Sequence, residues 1–573
     1  MSYAPESTVA RPLLALTTQN HPGPRRRGNR RARVILLVGL GVFTVVLGGM
    51  YFGPSAGLPI PERFAPYYAQ PHTGSDAAHP QPPPGAAKPA PNPNDFPTAA
   101  DVAASAEKVT AGADAAIDIL LASQPSSLPS ARSRYSLRTG RNPPRGFDAF
   151  YAFAKERGCL VEGYTAVERD FAPFWRAEKT RKGWFRERVR VMEGKLVNDA
   201  HGVAALAIRD GKVQRPENGA TYFDGDWENT INKFASSLPS LTVLINGRDE
   251  PRVVFDVAGL FDDPPTQPPA PTDPNPFALS PPSTGAFFAD PVRKDVCRPA
   301  RGVGVLEDVP FLLSASSAEF TTDLVPVLSM AKTVDASTTV DATAAGMGGG
   351  GGSCFADVLV PGEFYYRNSW WAGKFDYPNN IKWEDKKPVL YWRGESNGGH
   401  IRGTIYKTFP RFRLIELAAL PENQGFLDVR MTGWHESHCT DDCDAEPIKK
   451  AYNISGKVVP REDAYKYKYL LDVDGNTFSG RYLGLLRSGG LVFKSTAFTE
   501  FFTPWLVPFE HFIPVRPDLS DLMAKIAWAR ANDAEARRIQ EAGRVFAERI
   551  LTDAQNDCYW FAVMLEWGAL WGE

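Results

Sequence analysis

The chain has 573 residues, 43% of them hydrophobic and 12% aromatic, so it is long enough to bury the cores of two or more domains. Its formal net charge of −2 argues against nucleic acid as the main partner. The one strongly basic cluster, residues 25–33, adjoins an apolar run, where a membrane boundary explains it without a polyanion.

Residues 34–52 form an unbroken apolar run, about long enough for a helix to cross a hydrocarbon core of ~30 Å. Arginines precede the run and neutral residues follow it, so the positive-inside rule predicts that residues 1–33 are cytosolic and the rest is lumenal. A cleaved signal peptide is the alternative, but its apolar core would normally be shorter and nearer the N-terminus. The sequence therefore favours a single-pass type II signal anchor, as in a Golgi or ER membrane enzyme.

Residues 53–110 are rich in proline, alanine and glycine and cannot bury enough apolar surface to fold. The composition predicts an extended stem there, followed by an N-terminal domain over residues 111–385 and a C-terminal domain over residues 386–573. Two low-complexity stretches, residues 262–285 and 332–353, interrupt the first domain and are predicted to be surface insertions.

An apolar, β-branched run at residues 241–246 predicts a buried strand, and Asp249 follows it. Asp249 would then lie at the carboxyl end of a strand, where open α/β sheets bind their ligands. From the local sequence alone, an aspartate two residues before Pro251 is more often a turn former. Asp249 is therefore a candidate reactive carboxylate, with a turn-forming role as the alternative.

A second apolar strand, residues 388–392, leads into Arg393, a glycine-containing turn and Ser396. Arginine suits a diphosphate because its planar guanidinium bonds two phosphate oxygens at once and stays charged. On position alone, Arg393 is equally well explained as a strand-end arginine in an ion pair. Upstream, Trp370 offers a flat face on which a sugar ring can stack, although core packing is the commoner role of tryptophan.

Six cysteines allow a set of disulfides whose connectivity the sequence does not resolve. Residues 435–443 combine histidines, cysteines and acids, but the cysteine spacing differs from that of zinc sites. An exposed loop with cysteines in disulfides is the favoured interpretation. A sugar contact by His435 or His438 is the alternative.

The clearest pattern begins at Tyr465. Residues 465–474 read as a charged entry and an apolar strand that ends in a glycine turn. A short helix that carries Arg481 and is closed by glycine follows, and residues 491–494 predict another buried strand. Strands that alternate with helices in this way favour parallel sheets covered on both faces.

The residues after this strand are predicted to build helices. Thr499 and Glu500 are expected near the start of one helix, and Asp518 is expected to cap another. Asn532 with Glu535 three residues on has the pattern of a capping box that opens a further helix.

The block from residue 465, with Trp392-Arg393-Gly394 upstream and Tyr559-Trp560 near the end, resembles glycosyltransferase family 90. This family contains protein O-glucosyltransferase-like enzymes and fungal capsule xylosyltransferases, and the resemblance covers roughly residues 140–570. It implies an α/β GT-B fold, in which two Rossmann-like domains face each other across a cleft. It also implies transfer of xylose or glucose from a UDP-sugar to a hydroxyl of a glycan or glycoprotein.

The resemblance implies a donor-binding role for five residues on the C-terminal side. Arg393 and Ser396 match the Arg-Gly motif that contacts the donor, and Arg481 matches an arginine that lies against the donor diphosphate. Thr499 and Glu500 match a segment near the ribose and diphosphate.

On the acceptor side, Asn246, Asp249 and Pro251 are similar to the Asn-x-x-Asp-x-Pro motif in which the family carries its proposed general base. Asp249 is therefore expected to deprotonate the acceptor hydroxyl, which gives inversion at the anomeric carbon by direct displacement. A Trp-rich stretch precedes the family's Arg-Gly motif, so Trp370 is a candidate sugar contact.

No metal or other cofactor is expected beside the UDP-sugar. Asp472 and Asp474 have Asp-x-Asp spacing but lie in a block whose acids are not metal ligands in relatives, so the arginines would carry the charge. A non-catalytic lumenal glycan-binding or scaffolding protein on a degenerate transferase fold is the main alternative. A glycoside hydrolase would need a carboxylate pair across one cleft, and no motif nominates one.

Overall fold

A computed structural model describes residues 102, 116–197, 202–215, 221, 223–253, 324–333, 355–367, 381–401, 403–439, 443–457 and 459–572. All of these residues belong to one compact unit, Met50–Glu573. The predicted anchor 34–52, the insertion 262–285 and Trp370 lie outside the described residues. None of the described helices combines the length and the apolar character that a membrane span requires.

The N-terminal part of this unit combines six described helices with a five-stranded sheet. Its helices are α1 Ala116–Ala122, α2 Leu128–Thr139, α3 Phe147–Arg157, α4 Thr165–Thr180, α5 Trp184–Leu196 and α6 Asp224–Ile231. Its strands are β1 Val203–Arg209, β2 Lys212–Gln214, β3 Leu241–Asn246, β4 Leu328–Ser329 and β6 Val358–Leu359, and β5 Ala331–Thr333 lies between the last two in sequence.

The N-terminal sheet has the strand order β2-β1-β3-β4-β6 and is mixed. β1 pairs antiparallel with β2 and β3, whereas β3, β4 and β6 are parallel. This differs from the parallel sheet that the sequence pattern predicts. For β1 and β2 the cause is the tight turn at Asp210 and Gly211, with φ of 51° and 73°, because so short a turn joins only antiparallel strands.

The C-terminal sheet has the order β12-β10-β9-β7-β8, and all of its pairings are parallel, as predicted. Strand β9 is buried along its whole length, which is typical of a parallel strand covered on both faces. The elements of this part are β7 Lys387–Glu395, α7 Pro410–Ala419, β8 Leu427–Gly433, α8 Ala445–Ala451, β9 Tyr467–Val473, α9 Tyr482–Arg487, β10 Leu491–Ser495, β11 Phe498–Glu500, β12 Ile513–Val515, α10 Leu522–Ala531, α11 Asp533–Arg549 and α12 Asp553–Trp571.

The last helix, α12, packs against the N-terminal part. It contacts α3, α4, α5, α6 and β3, and it is buried on nearly all sides, in keeping with its apolar sequence. A disulfide joins Cys159 to Cys558, and the Trp567 indole donates to the Thr242 carbonyl at 3.0 Å. These contacts fix the end of the chain to the first sheet.

Three local predictions need correction. Residues 498–500 form strand β11, paired antiparallel with β5, and do not open a helix. Lys332, the first residue of the predicted insertion 332–353, is buried in β5, because β5 pairs with β11. Asp518 accepts hydrogen bonds from Ser520, and α10 begins later, at Leu522.

The predicted capping box at the start of α11 is also absent. The helix does begin after Asn532, but the Asn532 side chain makes no cap hydrogen bond. It donates instead to the carbonyl of Trp528 in the preceding helix. Glu535 bonds Arg538 on its own helix.

Candidate active site

The carboxyl edge of the C-terminal sheet brings two arginines together between β7 and β9. The chain places β8 on one side of β7 and then returns to place β9 on the other, so the strand order reverses between β7 and β9. Open α/β sheets bind ligands in the crevice at such a switch point. The strand order alone therefore predicts that a ligand binds at this edge.

Arg481, the residue before α9, lies across the ends of both strands. Its guanidinium donates to the Arg393 carbonyl at 2.8 Å, the Val473 carbonyl at 3.4 Å and the Ser479 hydroxyl at 3.3 Å. It also lies 5.7 Å from the centre of the Trp392 ring. Backbone carbonyls and an indole thus fix the orientation of this cation without neutralising it.

Arg411, on α7, reaches the same edge from the other direction. Its guanidinium donates to the carbonyls of Asp474 at 2.9 Å and Glu395 at 3.0 Å, and lies 5.6 Å from the Trp392 ring centre. Burial and then the charge of Arg481 lower the pKa of Arg411 to about 9, against attraction from nearby acids. Within the described residues, neither arginine forms an ion pair with a carboxylate. Two cations held at one sheet edge in this way make this edge a candidate anion site.

The same edge carries buried polar atoms that lack a hydrogen-bond partner among the described residues. They are Trp392 Nε1, Asn397 Oδ1, Trp434 Nε1, His438 Nδ1 and Asp474 Oδ1. Buried polar groups are nearly always paired in native proteins. A concentration of unpaired groups beside two cations is expected where a polar ligand binds.

The turn after β7 shapes one wall of this edge. Ser396 is fully buried, and its hydroxyl accepts from the His435 backbone N–H at 3.0 Å. Gly398 and Gly399 adopt φ of 147° and 124°, which glycine tolerates far better than other residues. The turn therefore holds buried backbone close to Arg411, which donates to the carbonyl of Glu395.

On the N-terminal side, Asp249 lies in the turn after β3, at the end of a fully buried strand. Asn246, the last residue of β3, shapes this turn: its Oδ1 accepts from the Arg248 N–H at 3.0 Å and its Nδ2 donates to the Glu250 carbonyl at 2.7 Å. Asp249 itself is half-buried, with no hydrogen-bond partner among the described residues. Burial, and then the neighbouring Glu250, raise the pKa of Asp249 to about 7.

Aromatic contacts connect the Asp249 turn with the segment that leads to Arg481. Gly247 lies against Thr221, and two residues later the Phe223 ring packs 6.0 Å from the Phe364 ring. Phe364 in turn packs 5.8 Å from Phe478. The turn and the arginine segment are thus joined through two ring contacts.

The comparisons with known proteins match the C-terminal part of the chain. Residues 374–572 match the sequence profile of glycosyl transferase family 90. We call this matched stretch the family 90 domain. The family 90 domain contains both arginines and the whole C-terminal sheet, whereas Asp249 lies outside the matched segment.

Several curated relatives match about a third of this chain. Human protein O-glucosyltransferase 3 is 32% identical over 174 residues, which is 30% of this chain and 32% of that protein. Zebrafish (Danio rerio) protein O-glucosyltransferase 2 is 32% identical over 193 residues, or 33% of this chain and 34% of that protein. Human protein O-glucosyltransferase 1 is 31% identical over 186 residues, or 32% of this chain and 43% of that protein. The chain thus matches about a third to two fifths of the length of these curated relatives.

Within the family 90 domain, Arg393 occupies a different position from the one predicted. Its buried guanidinium forms an ion pair with the partly exposed Asp428 at 2.5 Å and lies 4.4 Å from the Tyr391 ring centre. Side chains alternate along a strand, so Arg393 shares a face with Tyr391 while Trp392 faces the arginine pair. Arg393 contributes its backbone carbonyl to the site, as the acceptor of Arg481.

Replacing Arg393 with glutamine is therefore expected to cost stability and leave nucleotide binding intact. Asp428 is partly exposed and keeps its hydrogen bond from Tyr467, so the loss of Arg393 should lower the free energy of unfolding by about 2 kcal/mol. Urea denaturation measures the first effect, and titration of the folded variant with UDP measures the second. Weaker UDP binding with unchanged stability would instead support the donor contact that the sequence predicts.

Thr499 and Glu500 also lie deeper than predicted. Thr499 is buried in the pairing of β11 with β5. Glu500 is fully buried, accepts a hydrogen bond from Tyr365 and lies 3.6 Å from the Lys494 ammonium. The carboxylate that was expected to meet the ribose is thus engaged inside the protein.

The sequence analysis did not predict a role for Arg411. For residues 435–443, the structure confirms one feature and corrects another. The disulfide Cys439–Cys443 closes that loop, as favoured. His438, however, is buried and stacks on His435 with ring centres 3.9 Å apart. Burial and the nearby positive groups lower the pKa of His438 to about 3, so the imidazole is neutral at physiological pH.

The raised pKa of Asp249 leads to a pH prediction. A general base must be ionised, so kcat/KM is expected to rise with pH through about 7. Replacing Glu250 with glutamine removes a negative neighbour and should lower the pKa of Asp249, which moves the midpoint of the profile to lower pH. An unchanged midpoint in the Glu250→Gln variant would show that the profile reports another group.

Proposed function

We propose that the protein is a glycosyltransferase that moves glucose or xylose from a UDP-sugar to a hydroxyl of a glycoprotein or glycan. The observation that carries the proposal is the pair Arg411 and Arg481 at the switch point of a parallel sheet, without a carboxylate partner among the described residues. Helix and loop backbone at such an edge commonly binds nucleotides. The names of the relatives, protein O-glucosyltransferases, point to the same class of reaction.

In this proposal the two arginines bind the diphosphate of the donor. When the bond between the anomeric carbon and the diphosphate breaks, the electron pair stays with the leaving phosphate oxygen. Arg411 and Arg481 are already oriented by backbone carbonyls, so they stabilise this charge without reorganising. Trp392 supports both guanidinium groups from one side.

Asp249 is proposed as the general base. It removes the proton of the acceptor hydroxyl as the oxygen attacks the anomeric carbon on the face opposite the diphosphate. A pKa of about 7 suits this step, since the carboxylate is largely ionised near neutral pH and still basic enough to accept a proton. Direct displacement of this kind inverts the configuration at the anomeric carbon.

The arginine pair supplies positive charge that a divalent ion supplies in other transferases, so we propose that transfer needs no metal. In the pair with Asp-x-Asp spacing, one oxygen of each carboxylate is bound within the protein: Asp472 accepts from Lys494 at 2.9 Å, and Asp474 accepts from the Ala497 N–H at 2.7 Å. Transfer is expected to proceed at an unchanged rate in EDTA. Loss of activity in EDTA that returns with Mg²⁺ or Mn²⁺ would contradict this.

The proposed location is the lumen of the Golgi or ER, with residues 34–52 as a type II anchor. The Cys159–Cys558 and Cys439–Cys443 disulfides are consistent with an oxidising compartment. The acceptor is then a secretory-pathway glycoprotein or glycan.

Donor binding tests the proposal without knowledge of the acceptor. The full-length protein is heated in EDTA with UDP, UDP-glucose, UDP-xylose or, as a control, CMP. A rise in Tm with UDP and at least one UDP-sugar, and none with CMP, is expected, because binding to the native state alone stabilises it. No rise with any UDP compound would contradict donor binding and favour a non-catalytic role.

A further inference from the structure

The turn that carries Asp249 is held at its far end by a buried carboxylate, Asp357. This residue precedes β6 and is fully buried. Its two oxygens accept from the backbone N–H groups of Arg252 and Val253, both at 2.8 Å. Asp357 thus fixes the backbone three and four residues after Asp249.

Asp357 is also connected to the near end of the turn. The Ser329 hydroxyl donates to Asp357 at 2.6 Å and accepts from the Asn246 amide at 3.2 Å. Asn246 in turn binds backbone groups inside the turn. Asp249 therefore lies between two anchor points that belong to one buried hydrogen-bond network.

Two further buried side chains, Lys332 and Asp170, connect this network to the surrounding strands and helix. Lys332 on β5 donates to the Asp357 carbonyl at 2.8 Å and to Asp170 on α4 at 2.7 Å. Asp170 also accepts from the Leu359 N–H at 3.1 Å. Strands β5 and β6 and helix α4 thus hold Asp357 in place.

We propose that Asp357 is a positioning residue for Asp249, an assignment that rests on the proposed function. Its carboxylate satisfies the two backbone donors that would otherwise be buried without partners, and so fixes where the Asp249 carboxylate lies relative to the acceptor hydroxyl. A displacement of a catalytic group by about 1 Å costs roughly a hundredfold in rate. Asparagine at position 357 cannot do the same, because its amide NH₂ would face an N–H group.

The test measures kcat and the KM for donor in the full-length protein, as UDP release from UDP-glucose or UDP-xylose with a panel of protein and polysaccharide acceptors. Asp357→Asn is expected to lower kcat about a hundredfold per folded molecule and to leave the donor KM unchanged. In the Asp249→Asn background it should cause no further loss, because it acts through Asp249. Equal losses in both backgrounds would overturn the inference.

A matched control and a milder variant complete the experiment. Asp557→Asn removes another buried carboxylate, bound to Lys233 and Tyr366 and without contact to the turn, and should keep kcat.

If Asp357→Asn does not fold, Ser329→Ala removes only the hydroxyl between Asn246 and Asp357 and should lower kcat about tenfold, again only while Asp249 is present. A normal kcat in Ser329→Ala and Asp357→Asn, with Asp249→Asn inactive, would overturn the positioning role alone. Full activity of Asp249→Asn would overturn the base assignment and the positioning role together.

Discussion

Replacing Asp249 with asparagine is expected to lower kcat for sugar transfer by about a hundred- to ten-thousandfold, the range that a general base contributes. Asparagine has nearly the same size and can keep the turn after β3, but it cannot accept the proton of the acceptor hydroxyl. The donor KM should change little, since the donor is proposed to bind at the arginine pair. UDP release measured at several donor concentrations separates the two parameters.

Stability provides the folding control for Asp249→Asn. The pKa of Asp249 is raised in the folded protein, so the folded state loses stability relative to the unfolded one as pH rises from about 4 through about 7. Asparagine does not ionise, and the variant should be at least as stable as the parent at pH 8. Asp210→Asn makes the same chemical change in the β1–β2 turn, where asparagine tolerates the φ of 51°, and should retain full activity. Unchanged transfer by Asp249→Asn would remove this residue from the mechanism.

Replacing Arg481 with glutamine is expected to lower kcat by about a hundred- to thousandfold, because a preoriented donor to the developing charge is lost. UDP should also stabilise the variant less than it stabilises the parent. Without ligand, the variant loses the hydrogen bonds to the Arg393 and Val473 carbonyls but relieves repulsion on Arg411, so its stability should differ little from that of the parent. Thermal unfolding with and without UDP measures both effects.

Arg487→Gln is the matched control for Arg481→Gln. Arg487 lies at the other end of α9, is likewise half-buried, and donates to the backbone carbonyls of Ala547 and Leu551 on the far side of the helix from the sheet edge. Its loss should affect stability and not UDP binding. Equal loss of UDP binding in both variants would contradict a specific role for Arg481.

Much of the fold could be predicted because strands that are buried on both faces are apolar in sequence. Strand β9 is apolar throughout, and a parallel strand covered on both faces requires this. The antiparallel start of the N-terminal sheet also had a signal, Asp210-Gly211 between two apolar runs, which the alternation of strands and helices outweighed.

The candidate site was less predictable because side-chain direction depends on tertiary contacts. Arg393 and Trp392 are adjacent, yet only Trp392 faces the arginine pair, and the choice depends on how β7 packs. Arg411 comes from a helix whose sequence gives no sign that one arginine reaches back to the ends of β7 and β9. Asp249 and Arg481 were predicted from the resemblance to glycosyltransferase family 90, and each follows a strand or its turn.

Sugar transfer itself is tested most directly by turnover. The full-length protein and its Asp249→Asn and Arg481→Gln variants are incubated in EDTA with UDP-glucose or UDP-xylose and the acceptor panel, and released UDP is quantified together with the glycosylated product. UDP and product in equal amounts from the parent, with both variants at least a hundredfold slower, is the predicted result. Turnover that is the same in all three proteins, or a parent that binds UDP-sugars but never releases UDP, would contradict the account.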